Sequence, residues 1–180
     1  MFRAYTTSRT RSPLRQSAIF PLDAERLREA LASFEGVKRR FEFYVNTPRQ
    51  VYMDDYAHHP GELKALLDAV EALGYKRTII VFQPHTYTRT MALFHDFVRQ
   101  LRRPDIVYLA EIFAAREKNI LGISSADLAE KIEGAKFFKT FDEIEQDLRK
   151  TAQPGDLILT VGAGNVYKIG EHLLADDYET

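Results

Sequence analysis

The sequence predicts a three-layer α/β sandwich whose sheet is mostly parallel and has one antiparallel edge strand. Short apolar runs alternate with helical patterns from about residue 37 to residue 176, which is typical of parallel sheets covered by helices. Residues 78–82, 106–109 and 157–161 are nearly all apolar, as in strands covered on both faces. Only the first two strands are joined by a short turn, so we expect that pair alone to be antiparallel.

Residues 23–74 are predicted to form a helix, a strand pair and a second helix. Asp23 can cap the first helix and Gly36 can end it. Its apolar face consists of Leu27, Leu31 and Phe34. Residues 40–46 and 50–55 are the predicted strands, with a turn at Thr47-Pro48. Pro60 suits the first turn of the next helix, which runs to about Gly74 with the apolar positions Leu63, Leu66, Leu67, Val70 and Leu73.

The rest of the chain alternates strand and helix. The predicted strands are residues 78–82, 106–109, 137–139 and 157–161. Helices are expected from about Thr88, from Ser124, from Thr140 and from Asn165, and Thr140 has the capping-box spacing to Glu143. The side chains expected to face inward are Met91, Phe94, Val98, Leu101, Leu128, Ile132, Ile144, Leu148, Val166, Ile169 and Leu173.

Composition excludes several classes of protein. The chain has 180 residues, and its 25 Lys and Arg against 26 Asp and Glu argue against a general nucleic-acid binder. No run of about eighteen apolar residues occurs, so no bilayer span is expected. With no cysteine, disulfide scaffolds, thiolate zinc sites and cysteine nucleophiles are excluded. No glycine is followed by lysine, so the chain lacks the GxxxxGK[ST] loop that cradles ATP phosphates.

Polar and titratable residues collect where the predicted strands end, which is where ligands bind in open parallel sheets. The segments are Asp54-Asp55-Tyr56-Ala57-His58-His59-Pro60, Phe82-Gln83-Pro84-His85-Thr86-Tyr87-Thr88-Arg89-Thr90, Glu111 with Ala115-Arg116-Glu117, and Gly162-Ala163-Gly164-Asn165. The glycine turn is not a dinucleotide fingerprint, because the third glycine would fall on Tyr167. It still allows backbone N–H groups to approach an anion.

Each segment has more than one interpretation from its residues alone. Asp54, Asp55, His58 and His59 offer carboxylate and imidazole ligands for a divalent metal, and they equally suit a helix cap and a solvated turn. His85 alone is more typical of a hydrogen-bonded structural histidine than of a catalytic one. Arg89 lies in the first turn of its helix, where a cation opposes the helix dipole, and this favours a role toward a ligand. Glu111, Arg116 and Glu117 are consistent with a surface ion network.

In this order and spacing, these segments resemble the C-terminal domain of the Mur ligases. So does the segment that leads into the first predicted strand, Phe34-Glu35-Gly36-Val37-Lys38-Arg39-Arg40-Phe41-Glu42. The resemblance covers roughly residues 23–176, and the Phe-Gln-Pro-His segment points to the alanine-adding family. That family joins L-alanine to UDP-N-acetylmuramate by ATP cleavage, through an acyl phosphate that the alanine amine attacks. The resemblance implies a Rossmann-like fold and a cytoplasmic ligase of peptidoglycan synthesis.

The resemblance also implies roles for individual residues. Tyr56, His58, His85 and Arg89 would line the L-alanine pocket, and Arg40 and Asp55 would face the ATP ribose. The guanidinium of Arg89 can bind a carboxylate as a planar fork. No residue is assigned as catalytic and no metal ligand is assigned. ATP and Mg²⁺ would be bound mainly by a central domain that the sequence does not contain.

The resemblance divides the chain into three parts. Residues 1–22 are expected to be an irregular tail, although the arginine-, serine- and threonine-rich composition of residues 1–17 is also that of a transit peptide. Residues 23–36 would be a helix left from the preceding central domain, and residues 37–180 the amino-acid-binding domain. The expected partners are L-alanine, ATP and UDP-N-acetylmuramate, without nucleic acid or membrane. A ligase domain inactive by itself is the first hypothesis; a stand-alone amino-acid or nucleotide binding module and a metal-dependent hydrolase are the alternatives.

Overall fold

The structure of the protein, a computed structural model, describes residues 23–34, 36–47 and 49–177. Contacts divide the chain into two units, and the boundary in the sequence lies after Gly36. In the first unit, helix α1 spans Ala24–Ala32, and the Asp23 side chain accepts the N–H of Glu25 at 2.9 Å. The predicted cap is therefore confirmed, although Leu31 and Phe34 are exposed. The tail predicted for residues 1–22 lies outside the described residues.

The second unit contains a sheet of six strands in the order β1-β2-β6-β3-β4-β5. The first two strands are antiparallel, with Glu42 opposite Asp54, and every other neighbouring pair is parallel. The predicted fold class is thus confirmed, because one antiparallel strand lies at an edge of an otherwise parallel sheet. The strands are β1 (Glu42–Asn46), β2 (Val51–Asp55), β3 (Arg77–Phe82), β4 (Ile106–Ala110), β5 (Lys136–Phe138) and β6 (Asp156–Val161).

Helices cover both faces of the sheet. They are α2 (Pro60–Leu73), α3 (Tyr87–Ala92), α4 (Phe94–Leu101), α5 (Ser125–Ala129), α6 (Phe141–Thr151) and α7 (Tyr167–Asp177). Side chains of α2, α4 and α5 form one core cluster with alternate residues of the central strands, among them Ile80 and Leu159. Those of α6 and α7 form a second cluster with the intervening residues, among them Ile79 and Ile158. Successive strand residues point to opposite faces, so each strand serves both cores.

The helix predicted from Thr88 is interrupted at Leu93, whose backbone (φ −113°, ψ 18°) separates α3 from α4. The prediction that Met91 faces inward is wrong, since this residue is 44% exposed. The break restarts the helical period, and Thr90 is the residue of α3 that is buried. Its hydroxyl donates to the carbonyl of Thr86 at 2.7 Å, which satisfies the buried oxygen.

The other helix predictions agree closely with the structure. Both predicted capping-box residues, Thr140 and Glu143, make their reciprocal bonds at the start of α6. Ile132 is buried as predicted but lies beyond the end of α5. Within the described ranges, no helix combines the length and the apolar character that crossing a bilayer requires.

Candidate functional site

The predicted site residues lie at one edge of the sheet, which we term the carboxyl edge. This edge is formed by the segments that follow Asp55, Phe82, Ala110 and Val161. Tyr56 and His58 follow β2, whereas His85 and Arg89 follow β3. Because β2 and β3 both pair with β6 in parallel, their ends are two strand positions apart at the same level.

The four residues that the resemblance assigns to the amino acid form a continuous series of contacts. The ring centroids of Tyr56 and His58 are 5.5 Å apart, and those of His58 and His85 are 5.8 Å apart. The Nη1 atom of Arg89 lies 3.3 Å from Nδ1 of His85. The structure therefore brings together two imidazoles, a phenol and a guanidinium, the groups that can meet both ends of a zwitterion.

The segment that carries His85 is fixed by pairing that continues beyond the strands. His85 pairs with Phe113 in the parallel direction, the Thr86 N–H donates to the Phe113 carbonyl at 2.9 Å, and the Phe113 N–H donates to the Pro84 carbonyl at 2.8 Å. The His85 and Phe113 rings stack with centroids 5.6 Å apart. This pairing extends the sheet by about one residue pair and positions the imidazole at its edge.

Arg39 connects the approach to β1 with the ends of two other strands. Its Nε donates to the Asp54 carboxylate at 3.0 Å, and its two terminal nitrogens donate to the carbonyls of Gly164 at 3.0 Å and Gly162 at 2.5 Å. Its guanidinium also lies 4.9 Å from the Tyr56 ring centroid and 4.5 Å from that of Tyr167. These contacts hold Tyr56 against the glycine turn, within cation–π distance.

The two residues predicted to face the ATP ribose border the same edge. Asp55 is only 7% exposed, and its carboxylate accepts the N–H groups of Phe41 and Ala57, each at 2.8 Å. Arg40 is exposed, with its guanidinium 5.4 Å from the Tyr56 ring centroid. Burial raises the pKa of Asp55 above its ordinary value, while the two backbone hydrogen bonds and the charge of Arg40 act in the opposite direction.

The aspartates and histidines proposed as metal ligands each have a protein partner. The buried Asp54 accepts the Thr160 hydroxyl at 2.7 Å as well as Arg39. His59 is the N-cap of α2, where its Nδ1 accepts the Gly61 N–H at 3.2 Å. Within the described residues, no group of three histidine, aspartate or glutamate side chains is arranged to hold a metal. The helix-cap interpretation of His59 is the one that the structure supports.

Gln83 joins the end of β3 to the glycine turn. Its side-chain oxygen accepts the N–H groups of Asn165 at 2.9 Å and Val166 at 3.2 Å, just before α7 begins. Its amide nitrogen donates to the Asn165 side chain at 3.1 Å. A buried glutamine thus supplies the hydrogen bonds that the backbone before α7 would otherwise lack.

Glu117 holds the loop after β4 against the start of α3 rather than pairing only on the surface. Its carboxylate accepts the N–H of Thr88 at 2.9 Å and the Thr88 hydroxyl at 2.5 Å. These hydrogen bonds lower the pKa of Glu117 below its ordinary value. A negative charge at this end of α3 also offsets the cost of the nearby Arg89 guanidinium.

The surroundings of His85 favour its neutral form. Partial burial lowers the pKa of its imidazole below the ordinary value, and the positive charge of Arg89 and the neighbouring His58 lower it further. The negative charge of Glu117 raises the pKa of His85, but by less than the other contributions together lower it. Because the neutral His85 ring carries no charge, the Arg89 guanidinium is the positive charge that a carboxylate ligand would contact.

Sequence reasoning assigned no role to Arg39, Gln83 or Phe113. The adjacent Arg39 and Arg40 carry no sequence signal that separates the clamped side chain from the exposed one. Gln83 follows an apolar strand and is buried. Its burial depends on the turn before α7, which lies far from it in the sequence. Only the three-dimensional pairing of segments 82 to 125 residues apart reveals the roles of Arg39 and Gln83, and the role of Phe113 follows from its pairing with His85.

We predict that Gly164→Ala lowers the free energy of unfolding by about 1–3 kcal/mol, through overpacking. An added Cβ would overlap Oε1 of Gln83 and lie 2.8 Å from Cγ of Phe113. Urea unfolding of the chain measures the difference. Gly61→Ala is the matched control, since its Cβ would meet only Nδ1 of His59, at 3.6 Å. Equal losses of stability in both variants would contradict the packing argument.

We also predict that the contribution of His85 to the free energy of unfolding decreases as the pH falls below about 6.5, the ordinary histidine pKa. Because the pKa of His85 is lowered in the folded state, the unfolded chain takes up that proton first, so acid destabilises the fold. His85→Gln should flatten this slope in denaturation series between about pH 8 and 5. His95→Gln, at an exposed position of α4, should leave it unchanged. An unaltered slope in the His85 variant is the result that would refute the assignment.

The chain is similar to known proteins both in sequence and in fold. The family described as "Mur ligase, glutamate ligase domain" matches residues 39–164. The chain is similar to UDP-N-acetylmuramate–L-alanine ligases of Lachnospira eligens (45% identity, 85% of this chain and 34% of the relative) and Agathobacter rectalis (43% identity, 95% and 38%). The crystal structure of UDP-N-acetylmuramate–alanine ligase from Thermotoga maritima has the same fold (TM-score 0.74, 23% identity, 92% of this chain and 36% of that one).

The chain therefore spans little more than a third of the length of these relatives. The matched region runs from Arg39 to Gly164 and so contains Tyr56, His58, His85 and Arg89. A match over this much of the sequence, together with the shared fold, shows that the chain belongs to the Mur ligase family.

Proposed function

We propose that this chain is the amino-acid-binding C-terminal domain of a ligase that joins L-alanine to UDP-N-acetylmuramate with cleavage of ATP. The observation that carries the proposal is the contact series from Tyr56 through His58 and His85 to Arg89 at the carboxyl edge. These are the residues to which the family resemblance assigns the alanine. Residues 37–180 would be this domain, and residues 23–36 a helix that belongs to the preceding one.

In this proposal, Arg89 binds the alanine carboxylate. Its guanidinium is a permanent cation with parallel N–H donors, and the neutral His85 beside it provides no competing charge. His58 and Tyr56 would lie toward the amino end. The amine must be neutral when it attacks, so imidazoles there can accept a proton near neutral pH.

Arg40 and Asp55 are proposed to face the ATP ribose. Each carboxylate oxygen of Asp55 accepts one backbone N–H, which leaves acceptor capacity for a ribose hydroxyl. The exposed Arg40 lies beside the same segment. ATP, with Mg²⁺, would supply the activation of the muramate carboxylate and would be held mainly by the central domain, because this chain has no phosphate loop.

The chain would contribute to the reaction by positioning and by excluding water. An acyl phosphate hydrolyses if water reaches it, and closure of this domain over the neighbouring one would bring the amine to it while displacing solvent. The fixed loops at the carboxyl edge suit this task, because a positioned nucleophile needs a rigid support. A cytoplasmic location is proposed with the function.

We predict that Arg89→Ala, in a complete ligase that contains this domain, raises the KM for L-alanine at least about tenfold. The KM for ATP should stay within about twofold, since in this proposal the guanidinium binds the amino acid and not ATP. Steady-state kinetics with each substrate varied in turn measure both constants. Arg99→Ala, on the exposed side of α4, is the matched control and should change neither. An equal rise in both constants would contradict the assigned pocket.

The 180-residue chain by itself is expected to show no alanine-dependent ATP hydrolysis, because it lacks a phosphate loop. A coupled phosphate-release assay measures this directly. Turnover by the purified chain would overturn the proposal that catalysis needs the other domains. Binding of L-alanine that tolerates Arg89→Ala would contradict the assigned contact between Arg89 and the alanine carboxylate.

A further inference from the structure

Two contacts determine which nitrogen of His58 carries the proton. Its Nδ1 lies 3.0 Å from the carbonyl oxygen of Tyr56 and 3.4 Å from a carboxylate oxygen of Glu62. A carbonyl oxygen can only accept, so Nδ1 must be the protonated, donating nitrogen. In the neutral ring, Nε2 on the other side is then unprotonated and is left as an acceptor.

His85 has the opposite arrangement. Its Nδ1 faces Nη1 of Arg89, and a guanidinium is always protonated and only donates. Nδ1 of His85 therefore accepts, and the proton of the neutral ring is on Nε2. The two neighbouring imidazoles, with centroids 5.8 Å apart, thus offer one proton acceptor and one proton donor to a ligand between or above them.

We propose that Glu62 is a positioning residue for His58: with the Tyr56 carbonyl it holds the Nδ1–H tautomer, so that Nε2 accepts a proton from the ammonium group of the amino-acid substrate. The N–H bond of the ammonium breaks, its proton goes to Nε2, and the electron pair stays on the amine. That pair then forms the amide bond at the acyl carbon of the acyl phosphate while the bond from this carbon to the phosphate oxygen breaks, and the second amine proton leaves with the phosphate as hydrogen phosphate. The identity of the substrate rests on the proposed function, whereas the tautomers do not.

The contacts of Nδ1 also fix the orientation of the His58 ring. Its Nδ1–H is directed at the Tyr56 carbonyl and lies near the Glu62 carboxylate, the arrangement by which a carboxylate orients a basic histidine. Glu62 is in the first turn of α2, so its backbone is part of a regular element rather than of a loop. Such support keeps the imidazole in one orientation.

Glu62 also has a purely structural contact, because its carboxylate accepts the backbone N–H of His58 at 3.0 Å. A loss of stability on substitution would therefore not distinguish the two roles. Glu62→Gln retains an oxygen that can accept this N–H but removes the negative charge. The tautomer of His58 is the quantity that a merely structural role would leave unchanged.

The test is long-range ¹H–¹⁵N NMR of the ¹⁵N-histidine-labelled chain at about pH 8, where ordinary imidazoles are neutral. We expect His58 to be mainly the Nδ1–H tautomer and His85 mainly the Nε2–H tautomer. In Glu62→Gln the Nδ1–H to Nε2–H ratio of His58 should fall at least about threefold. Glu71→Gln, near the far end of α2 where Glu71 pairs with Arg103, should leave the ratio unchanged. Unaltered His95 and His172 signals verify that each variant is folded.

The outcomes separate this inference from the proposed function. A predominantly Nε2–H His58 in the wild-type chain, or an unchanged ratio in Glu62→Gln, overturns the role of Glu62 whatever the ligand is. In a separate titration of the wild-type chain, L-alanine should shift the His58 and His85 signals. Tautomers as expected with no response to L-alanine would contradict the substrate and the proton transfer, while the positioning of His58 by Glu62 would stand.

Discussion

The contact between Arg39 and the buried Asp54 is the constraint on which the carboxyl edge depends. Asp54 lies at the end of β2, and the same guanidinium reaches the carbonyls of Gly162 and Gly164 after β6. A buried carboxylate without a charged partner would strongly destabilise the fold. Because Arg39 neutralises the charge of Asp54, this ion pair holds the segment before β1 in place. Burial raises the pKa of Asp54, whereas the hydrogen bonds from Thr160 and Arg39 act to lower it.

Backbone strain collects around the same edge. Among the described residues, the non-glycine positions with positive φ are Arg39, Phe41, Thr86 and Ala115. Each conformation costs on the order of 1 kcal/mol or more and persists only where neighbouring contacts enforce it. Here those contacts are the bonds of Arg39, the acceptance of the Phe41 N–H by Asp55, and the pairing of Thr86 with Phe113. The stability of the two cores supports an edge whose loops are unfavourable by themselves.

The electrostatics of the edge differ between the Arg89 end and the His58 end of the contact series. Arg89 is a fixed cation and His85 beside it is neutral, so the positive potential is concentrated on one group. His58, one ring further along, is backed by a carboxylate and a carbonyl instead. This polarity matches the proposed orientation of the amino acid, with its carboxylate toward Arg89 and its amino group toward His58. Specificity of this kind comes from the placement of a few polar groups rather than from the size of a cavity.

The sequence by itself determined the fold class, the strands within a few residues, the caps at Asp23 and Thr140, and the segments that form the edge. These depend on local periodicity and capping chemistry, which a short stretch of residues contains in full. It also indicated the four residues of the contact series, through a motif that recurs across a family. Tertiary structure alone decided that Leu93 breaks a helix, that Arg39 is clamped while Arg40 is exposed, and that Gln83 holds the glycine turn. Those outcomes depend on hydrogen bonds between segments distant in the chain, whose partners are chosen only when the sheet brings them together.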